Sequence, residues 1–411
     1  MNESLPIGEN KIFGWGKYEL SMVVWFFFMW GIVFLDRMVM PYLAPVIMED
    51  LSLTDPQYGL INMFTTGSYA LSAIFITPVL ESTGKRKIWV ILLCLGTGIF
   101  ATLGAVTNSF VPFLITRAFV GFFEGPIFPI LLGMVYKESS QKKIAINTGI
   151  IMAGAAFLAL AVGPIIATQI ATATSWRMAF IVTGLVSVAI GLCLIKVLRE
   201  VPFIPEEKKE SVFSIVKKIL KVRNVIICFC MAIMVLCGFW SLSLYATLFF
   251  TVNGGHDLAT AGYFVGVMGV LAIGWNIVVP KLSDFIGRKP ALMIWCCIMA
   301  VMPYLMFGVP QSIAAVVFYA IVGGMPGAVM QYLQAIIPNE SLPNYMFGIA
   351  SGLIVGVGEL VGGAVWPAIA GFVAEAHGYP TIIFCAGIAL TIAAILSLFI
   401  KETRGQVVET L

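Results

Sequence analysis

FMWGIVFLDRMVMPYLAPV (residues 28–46) and FLITRAFVGFFEGPIFPILLG (residues 113–133) are both apolar over a length that can cross a bilayer. Each nevertheless carries two ionisable side chains well inside it: Asp36 and Arg37 in the first, Arg117 and Glu124 in the second. A helix that spans the hydrocarbon core needs about 20 predominantly apolar residues. A charge near the bilayer centre costs about 2.5–3.5 kcal/mol on insertion scales, so such groups face the interior of a helix bundle and mark the path of a substrate or ion. The two stretches thus decide the fold class, an all-α membrane protein, and point to passage of a polar solute.

Composition agrees. With 60% apolar residues, 11% charged residues and a mean hydropathy of +0.99 over 411 residues, the chain is no ordinary water-soluble globule. Apolar runs predict spans near 19–47, 57–80, 87–107, 110–136, 144–171 and 176–198, then 224–251, 259–281, 290–309, 311–337, 344–374 and 379–400. This reads as twelve helices: an N-terminal six-helix bundle (1–198), a cytosolic connector (199–223) and a C-terminal six-helix bundle (224–411).

The positive-inside rule tests the count, because a wrong number of spans would scatter the basic residues over both faces. Of the 24 Lys and Arg residues, only Arg177 falls in an outer loop and only Arg37 and Arg117 lie within the membrane; all others fall on the side of the termini, which are therefore read as cytosolic. The net charge of +3 reports orientation in an inner or plasma membrane and gives no sign of nucleic-acid binding. The polar start MNESLPIGENKIFGWGKYEL lacks the basic–apolar–small order of a cleavable signal, so the first helix is expected to stay as an anchor. The eight cysteines lie in apolar segments without metal-ligand spacing, and His256 and His377 fall in outer loops, so neither a metal nor a cofactor is expected.

Six plus six spans suggest an internal duplication, in which the same loop carries the same motif in each half. TPVLESTGKRK (77–87) and PKLSDFIGRKP (280–290) each place an acid three residues before a glycine and then continue into a basic run; aligned on the glycines, Lys85 and Arg86 match Arg288 and Lys289. This resembles the cytoplasmic loop signature of the Major Facilitator Superfamily, although Thr77 and Pro280 stand where its first glycine is expected. KETRG (401–405) is similar to that superfamily's ending after the last helix. FLDRMVMPYLAPVIMEDLSLTDPQYG (34–59) and RAFVGFFEGPIFPI (117–130) further resemble the first and fourth helices of its anion:cation symporter branch, which carries anions with protons or sodium.

Residues seven apart share a helix face, so Arg117, Gly121, Glu124 and Phe128 form one stripe. Counted at about 1.5 Å per residue, Arg117 and Glu124 lie roughly 10 and 20 Å below the outer end of the fourth helix, and Asp36 and Arg37 roughly 15 Å below the same surface. All four fit one cavity near the midplane. Fixed ion pairs are the alternative, but desolvation offsets much of the attraction between buried charges, which makes four of them a poor choice for packing alone. An arginine fork suits a carboxylate, and a carboxyl beside it can exchange a proton as an anion comes and goes.

By resemblance, Arg37 is the direct anion contact, Asp36 and Glu124 are the proton-coupling carboxylates and Arg117 tunes them; the sequence leaves the roles of the two arginines interchangeable. Tyr69, in GSYAL, matches the branch's second helix. Glu359, in VGVGELVGGAVWPAIAG, stands where the branch often has an amide, and reads as a second proton site, a sodium or cationic-substrate contact, or a protonated acid bonded to a neighbouring helix. The candidate substrate-binding set is therefore Arg37, Tyr69, Arg117 and Glu359. Asn62, Trp240, Tyr245, Trp275, Asn276, Gln331 and Gln334 are further polar or aromatic candidates for the cavity wall, although residues of these types are more often helix-packing glue or interfacial belt residues than ligand contacts.

The expectation is a monomeric secondary transporter that moves a small organic anion of the carboxylate or sugar-acid class with protons by alternating access. Rivals are an exporter of lipophilic or drug-like compounds, against which two midplane arginines argue, and a transporter-fold nutrient sensor. An enzyme is disfavoured because no nucleophile, metal or phosphate-loop motif is present. One test bears on orientation: a cysteine replacing Lys208 in a Cys-free background should react with a membrane-impermeant thiol reagent only from the cytosolic side. Labelling from outside would overturn the topology.

Overall fold

A computed structural model of the chain describes residues 15–140, 142–200 and 212–405. Among them, twelve helices are long and apolar enough to cross a membrane. The first half contains α1 (Lys17–Tyr42), α2 (Asp55–Ser82), α3 (Arg86–Gly104), α4 (Phe110–Glu138), α5 (Ile146–Ala173) and α6 (Trp176–Val197). The second contains α7 (Arg223–Asn253), α8 (Leu258–Ile286), α9 (Arg288–Gly308), α10 (Ile313–Ser341), α11 (Met346–His377) and α12 (Tyr379–Ser397). Local chemistry sets several starts. Thr54 and Gln57 form a reciprocal capping box ahead of α2, and Ser175 and Asp257 accept the Met178 and Thr260 amides at the starts of α6 and α8.

One boundary differs from the sequence expectation. The apolar run predicts a first span reaching residue 47, but α1 ends at Tyr42 and a separate short helix, Ala44–Asp50, begins with Pro45 in its first turn. Proline fits a first helical turn and not a helix interior, which divides the segment there.

The two halves repeat one packing scheme. In the first, α3 lies along α6, α2 along α4 and α1 against α5; in the second, α9 lies along α12, α8 along α10 and α7 against α11. Between the halves, α2 runs beside α11 and α5 beside α8.

Small residues show where the halves touch. On α11, a methyl added at Gly371 would lie 2.5 Å from the Asp55 carbonyl oxygen and one at Gly363 would lie 2.9 Å from Thr66; at Gly356 the nearest atom is the tip of Ile74 at 3.7 Å, and at Gly352 and Gly348 nothing lies within 4 Å. The clearance grows steadily from one end of α11 to the other. On the α5–α8 side, methyls at Gly262, Gly266 and Gly269 would fall 2.2–2.9 Å from the backbone between Leu160 and Pro164. Two hydroxyls tie the same end together, Tyr58 donating to the Leu244 carbonyl at 2.7 Å and Tyr379 to Asp55 at 2.8 Å. The bundle is closed at the face away from the termini and splayed at the face that carries them.

At the splayed face the two motif loops build matching braces. Gly84 (φ 71°) and Gly287 (φ 98°) take up the left-handed backbone that lets each loop turn into the next helix. Arg86 pairs with Glu81 at 2.8 Å, and Arg288 with Asp284 at 2.6 Å and Glu340 at 2.9 Å. Glu200, just past α6, accepts the Lys87 amide at 3.0 Å; Glu402, just past α12, accepts the Arg288 and Lys289 amides at 2.8 and 3.0 Å. Each carboxylate thus caps the helix of the preceding hairpin, where the N-terminal dipole favours an anion. Burial works against ionising Glu402, but the amides of Arg404, Arg288, Lys289 and Thr403 outweigh it and hold its carboxyl below the ordinary value.

These caps correct the loop alignment by one residue: Arg86, which opens α3, corresponds to Arg288, which opens α9, because Lys85 is an extra loop residue before the helix. Of the connector, a helix at Val212–Ile219 buries Ile215 and Ile219 against the adjoining stretch of α11. Residues 201–211, Lys208 and Lys209 among them, and Lys11 lie outside the described residues.

Prolines shape the helix interiors. Among the described residues π-helix occupies four segments; Phe249–Asn253 closes α7 without a proline, while Ala155–Val162, Tyr332–Ile336 and Glu359–Val365 each end two residues before one: Pro164, Pro338 and Pro367. A proline lacks the N–H and its ring crowds the carbonyl four residues earlier; widening the preceding turn by one residue relieves both.

Pro41 in α1 is served differently. It leaves the Arg37 carbonyl without its helical donor, and the Arg117 guanidinium, reaching across from α4, donates to that oxygen at 3.0 Å and to the Asp36 carbonyl at 2.8 Å. An unmet buried polar group costs about 1–3 kcal/mol. Arg117→Met should therefore lower the melting temperature of the purified protein by several degrees, and adding Pro41→Ala, which restores the N–H, should recover part of that loss. Strictly additive effects in a thermal-shift comparison would show that Arg117 does not serve this carbonyl.

Candidate functional site

The site is built where α1, α2, α4, α7 and α11 converge. Successive residues on a helix turn by about 100°, so adjacent Asp36 and Arg37 point at different partners. Asp36 is buried and turns to α6, where the Ser187 hydroxyl donates to its Oδ2. Arg37 turns to the junction of the two halves.

Close approach of α4 to α2 sets the first side of the site. A methyl at Gly121 would lie 1.9 Å from the Thr65 carbonyl oxygen and one at Gly125 would lie 2.3 Å from that of Tyr69, so only glycine permits this spacing. The same approach brings Glu124 to Arg37, with Oε1 at 3.7 Å from Nη1. Helix geometry then ends: α4 breaks after Glu124 and restarts at Ile127, as the Gly125–Pro126 pair dictates.

From the second half, α11 leans on α7. A methyl at Gly362 would meet the Cys237 amide nitrogen at 2.8 Å, and at this level Trp240 Nε1 donates to Glu359 Oε2 at 3.1 Å. The same Glu359 oxygen lies 3.6 Å from Arg37 Nη2. The Arg37 guanidinium is further placed over the rings of Tyr69 and Trp240, 4.7 and 4.5 Å from their centroids, and donates to Thr66 Oγ1 at 3.2 Å. Aromatic faces attract a guanidinium electrostatically and fix its plane without occupying its N–H groups. Both carboxylates stand in ion-pair range of the fork yet beyond hydrogen-bonding distance. The Glu359 side chain is 17% exposed, against 4% for Arg37 and none for Glu124. Neither Glu124 oxygen accepts a hydrogen bond from the described residues.

The sequence candidates therefore separate. Arg37, Tyr69, Glu124 and Glu359 come together in one cluster. Arg117 is fully buried beside them with its guanidinium on the backbone of α1, and Asp36 sits behind, on the α6 side. Of the further cavity candidates only Trp240 joins Arg37. Tyr245 packs with Tyr58 and Tyr379 in the closed end, Asn62 donates to its own helix at the Tyr58 carbonyl, Gln331 bonds Asn276 at 2.9 Å, and Trp275 lies against Trp295. Two residues of the site, Thr66 and Ser187, are not among the sequence candidates. Thr66 has a signal, since it lies four residues beyond Asn62 and three before Tyr69 and so shares their face; Ser187, in VSVAIG, carries no comparable one.

Comparison with known proteins agrees with this architecture. The profile of the Major Facilitator Superfamily matches residues 25–367. The hexuronate transporter of Bacillus subtilis (strain 168) is 28% identical over 181 residues; the match covers 44% of this chain and less than half, 42%, of that protein. A putative tartrate transporter of Agrobacterium vitis is 22% identical over 96% of this chain and 92% of its own. The cis,cis-muconate transport protein of Acinetobacter baylyi (strain ATCC 33305 / BD413 / ADP1) is 25% identical over 90% of this chain and 91% of its own. Among solved structures, a bacterial homolog to the human lysosomal transporter Spinster, in an inward-facing and occupied conformation, superposes with a TM-score of 0.81 over 94% of this chain and 97% of that one; at 16% identity this likeness speaks for the fold alone. Two six-helix halves that meet around a central charged cluster, in a chain whose sequence matches the profile from α1 into α11, identify this protein as a multi-pass membrane protein belonging to the Major Facilitator Superfamily.

Proposed function

We propose that the protein is a proton-coupled symporter of small organic anions, of the carboxylate or sugar-acid class, working by alternating access in the inner or plasma membrane with both termini cytosolic. The observation that carries this reading is the state of Arg37. Its guanidinium is oriented by two aromatic rings at the junction of the halves, while its two carboxylate neighbours stand at 3.6 and 3.7 Å, too far to hydrogen-bond the fork. A planar fork held in this way suits a carboxylate from solution. The full-length relatives named for tartrate and muconate favour the same class of cargo. With the termini cytosolic, the splayed end opens to the cytosol and the described state faces inward.

In this reading Arg37 takes the carboxylate, Tyr69 and Trp240 hold its plane, and Arg117 holds α1 in place behind it. Glu124 is the first proton carrier. Its ionised form, buried and without hydrogen-bond donors, depends on the Arg37 charge, because an uncompensated buried carboxylate is costly. An anion that engages Arg37 removes that compensation, and Glu124 then carries a proton; departure of the anion returns Arg37 to Glu124 and releases it. Asp36, bonded to Ser187 on the far side of α1, is the second carboxylate assigned to coupling.

A thermal-shift screen against galacturonate, tartrate and muconate at acid and neutral pH should find stabilisation by at least one of them, since a ligand stabilises the state it binds. Calorimetry with that anion should show binding abolished in Arg37→Ala and a weak remnant in Arg37→Lys, where the charge persists and the fork is lost. Near-normal affinity in Arg37→Ala would discard the assignment of the anion to this residue.

For coupling, Glu124→Gln and Asp36→Asn imitate the protonated acid and cannot release the proton. In liposomes, counterflow should survive better in these variants than uphill uptake driven by an imposed proton gradient. Accumulation at the parent's level in both would make the two carboxylates structural.

A further inference from the structure

We propose that Glu359 is a tethered competitor for Arg37: a carboxylate supplied by the second half of the carrier that holds the anion's place when no anion is bound. This inference rests on the assignment of Arg37 as the anion contact.

Three features of the geometry lead to it. Glu359 opens the π-helical segment Glu359–Val365, so the widened turn ahead of Pro367 begins at this residue. Its Oε2 is then fixed by the Trp240 indole at 3.1 Å, which holds the carboxylate 3.6 Å from Arg37 Nη2. Finally, Glu359 comes from the opposite half. Glu124 belongs to the same half as Arg37 and travels with it, whereas Glu359 reaches Arg37 only when the halves are suitably disposed. Away from the helix ends, no other Asp, Glu, Lys, Arg or His is carried by the second-half spans among the described residues.

A carboxylate from solution that paired with the fork of Arg37 would meet Glu359 as a like charge at the same guanidinium nitrogen. The two exclude one another as anions, so part of the intrinsic affinity of Arg37 is spent on displacing Glu359. Glutamine at this position keeps the size and the hydrogen bond from Trp240 while removing the competing charge. That separates competition from direct cargo contact, for which loss of the carboxylate would weaken binding.

The test is calorimetric titration of the purified full chain with galacturonate, comparing the parent with Glu359→Gln and with Glu359→Asn, the second amide guarding against a folding defect in the first. Competition predicts about tenfold tighter binding in the amide variants, equal to about 1.4 kcal/mol. Equal or weaker affinity in both amides overturns the proposal, and so does the absence of galacturonate binding by all three proteins, because a freed Arg37 fork should accept a simple carboxylate. The double variant Arg37→Ala/Glu359→Gln separates the two levels of the argument. If the gain persists in it, Glu359 does not compete for Arg37 and the anion assignment fails as well. If the single amides show no gain while Arg37→Ala still abolishes binding, the anion assignment stands and the tether alone is overturned.

Discussion

The bond from Arg117 to the backbone of α1 organises the first half of this protein. A proline in the middle of a membrane helix leaves a carbonyl that lipid cannot satisfy. In α5, α10 and α11 the helix solves the problem itself by widening a turn, and each π-segment sits just ahead of its proline. In α1 the solution comes from another helix: the carbonyl freed by Pro41 belongs to Arg37, and α4 sends Arg117 to meet it. One guanidinium therefore fixes the height of α4 against α1, and the same stroke places Glu124, two turns further along α4, beside the Arg37 side chain. The backbone of Arg37 is held by one arginine contact and its side chain is left for another task.

A division of charge between the halves results. Asp36, Arg37, Arg117 and Glu124 all belong to the first half and form a nearly self-contained electrostatic unit, two acids and two bases. To this central cluster the second half contributes the Trp240 ring and one carboxylate, Glu359. Communication between the halves at the centre is thus concentrated in Glu359, Trp240 and the ring-flanked Arg37, while closure at the end away from the termini depends on glycine packing and on tyrosine hydroxyls that end on the Leu244 carbonyl and on Asp55. Packing of this kind is short-ranged and separable, and it leaves the charge cluster free of any duty in holding that end shut.

Much of this is legible in the sequence because the bilayer enforces it. Span lengths, the sidedness of Lys and Arg and the cost of buried charge arise from solvent physics, and they suffice to give twelve helices, two halves and the four first-half charges. The different employment of Arg37 and Arg117 is not legible, since both are arginines at midplane depth. What separates them is helix rotation and the position of a proline four residues after Arg37, a clue present in the string but meaningful only once α4 is known to pass that carbonyl. The register of the motif loops fails for a related reason. Gly84 and Gly287 align by eye, yet the next helices begin at Arg86 and Arg288, and only the capping carboxylates Glu200 and Glu402 reveal the extra residue. The position of Glu359 on α11 is readable; its pairing across the halves is not, because no periodicity within one helix reports its neighbours.

The glycine stripe of α11 holds more than this conformation uses. Gly371 and Gly363 are pressed against α2, where a side chain would collide, but Gly352 and Gly348 continue the same stripe to where an added methyl would meet nothing within 4 Å. Small residues have no packing reason to occupy positions without a neighbour. If the splayed ends of α2 and α11 close on the stripe that their opposite ends already share, these two glycines mark where α2 lands. The chain would then record in its composition a contact that belongs to another state of the molecule, written in one helix and read in two halves, one at a time.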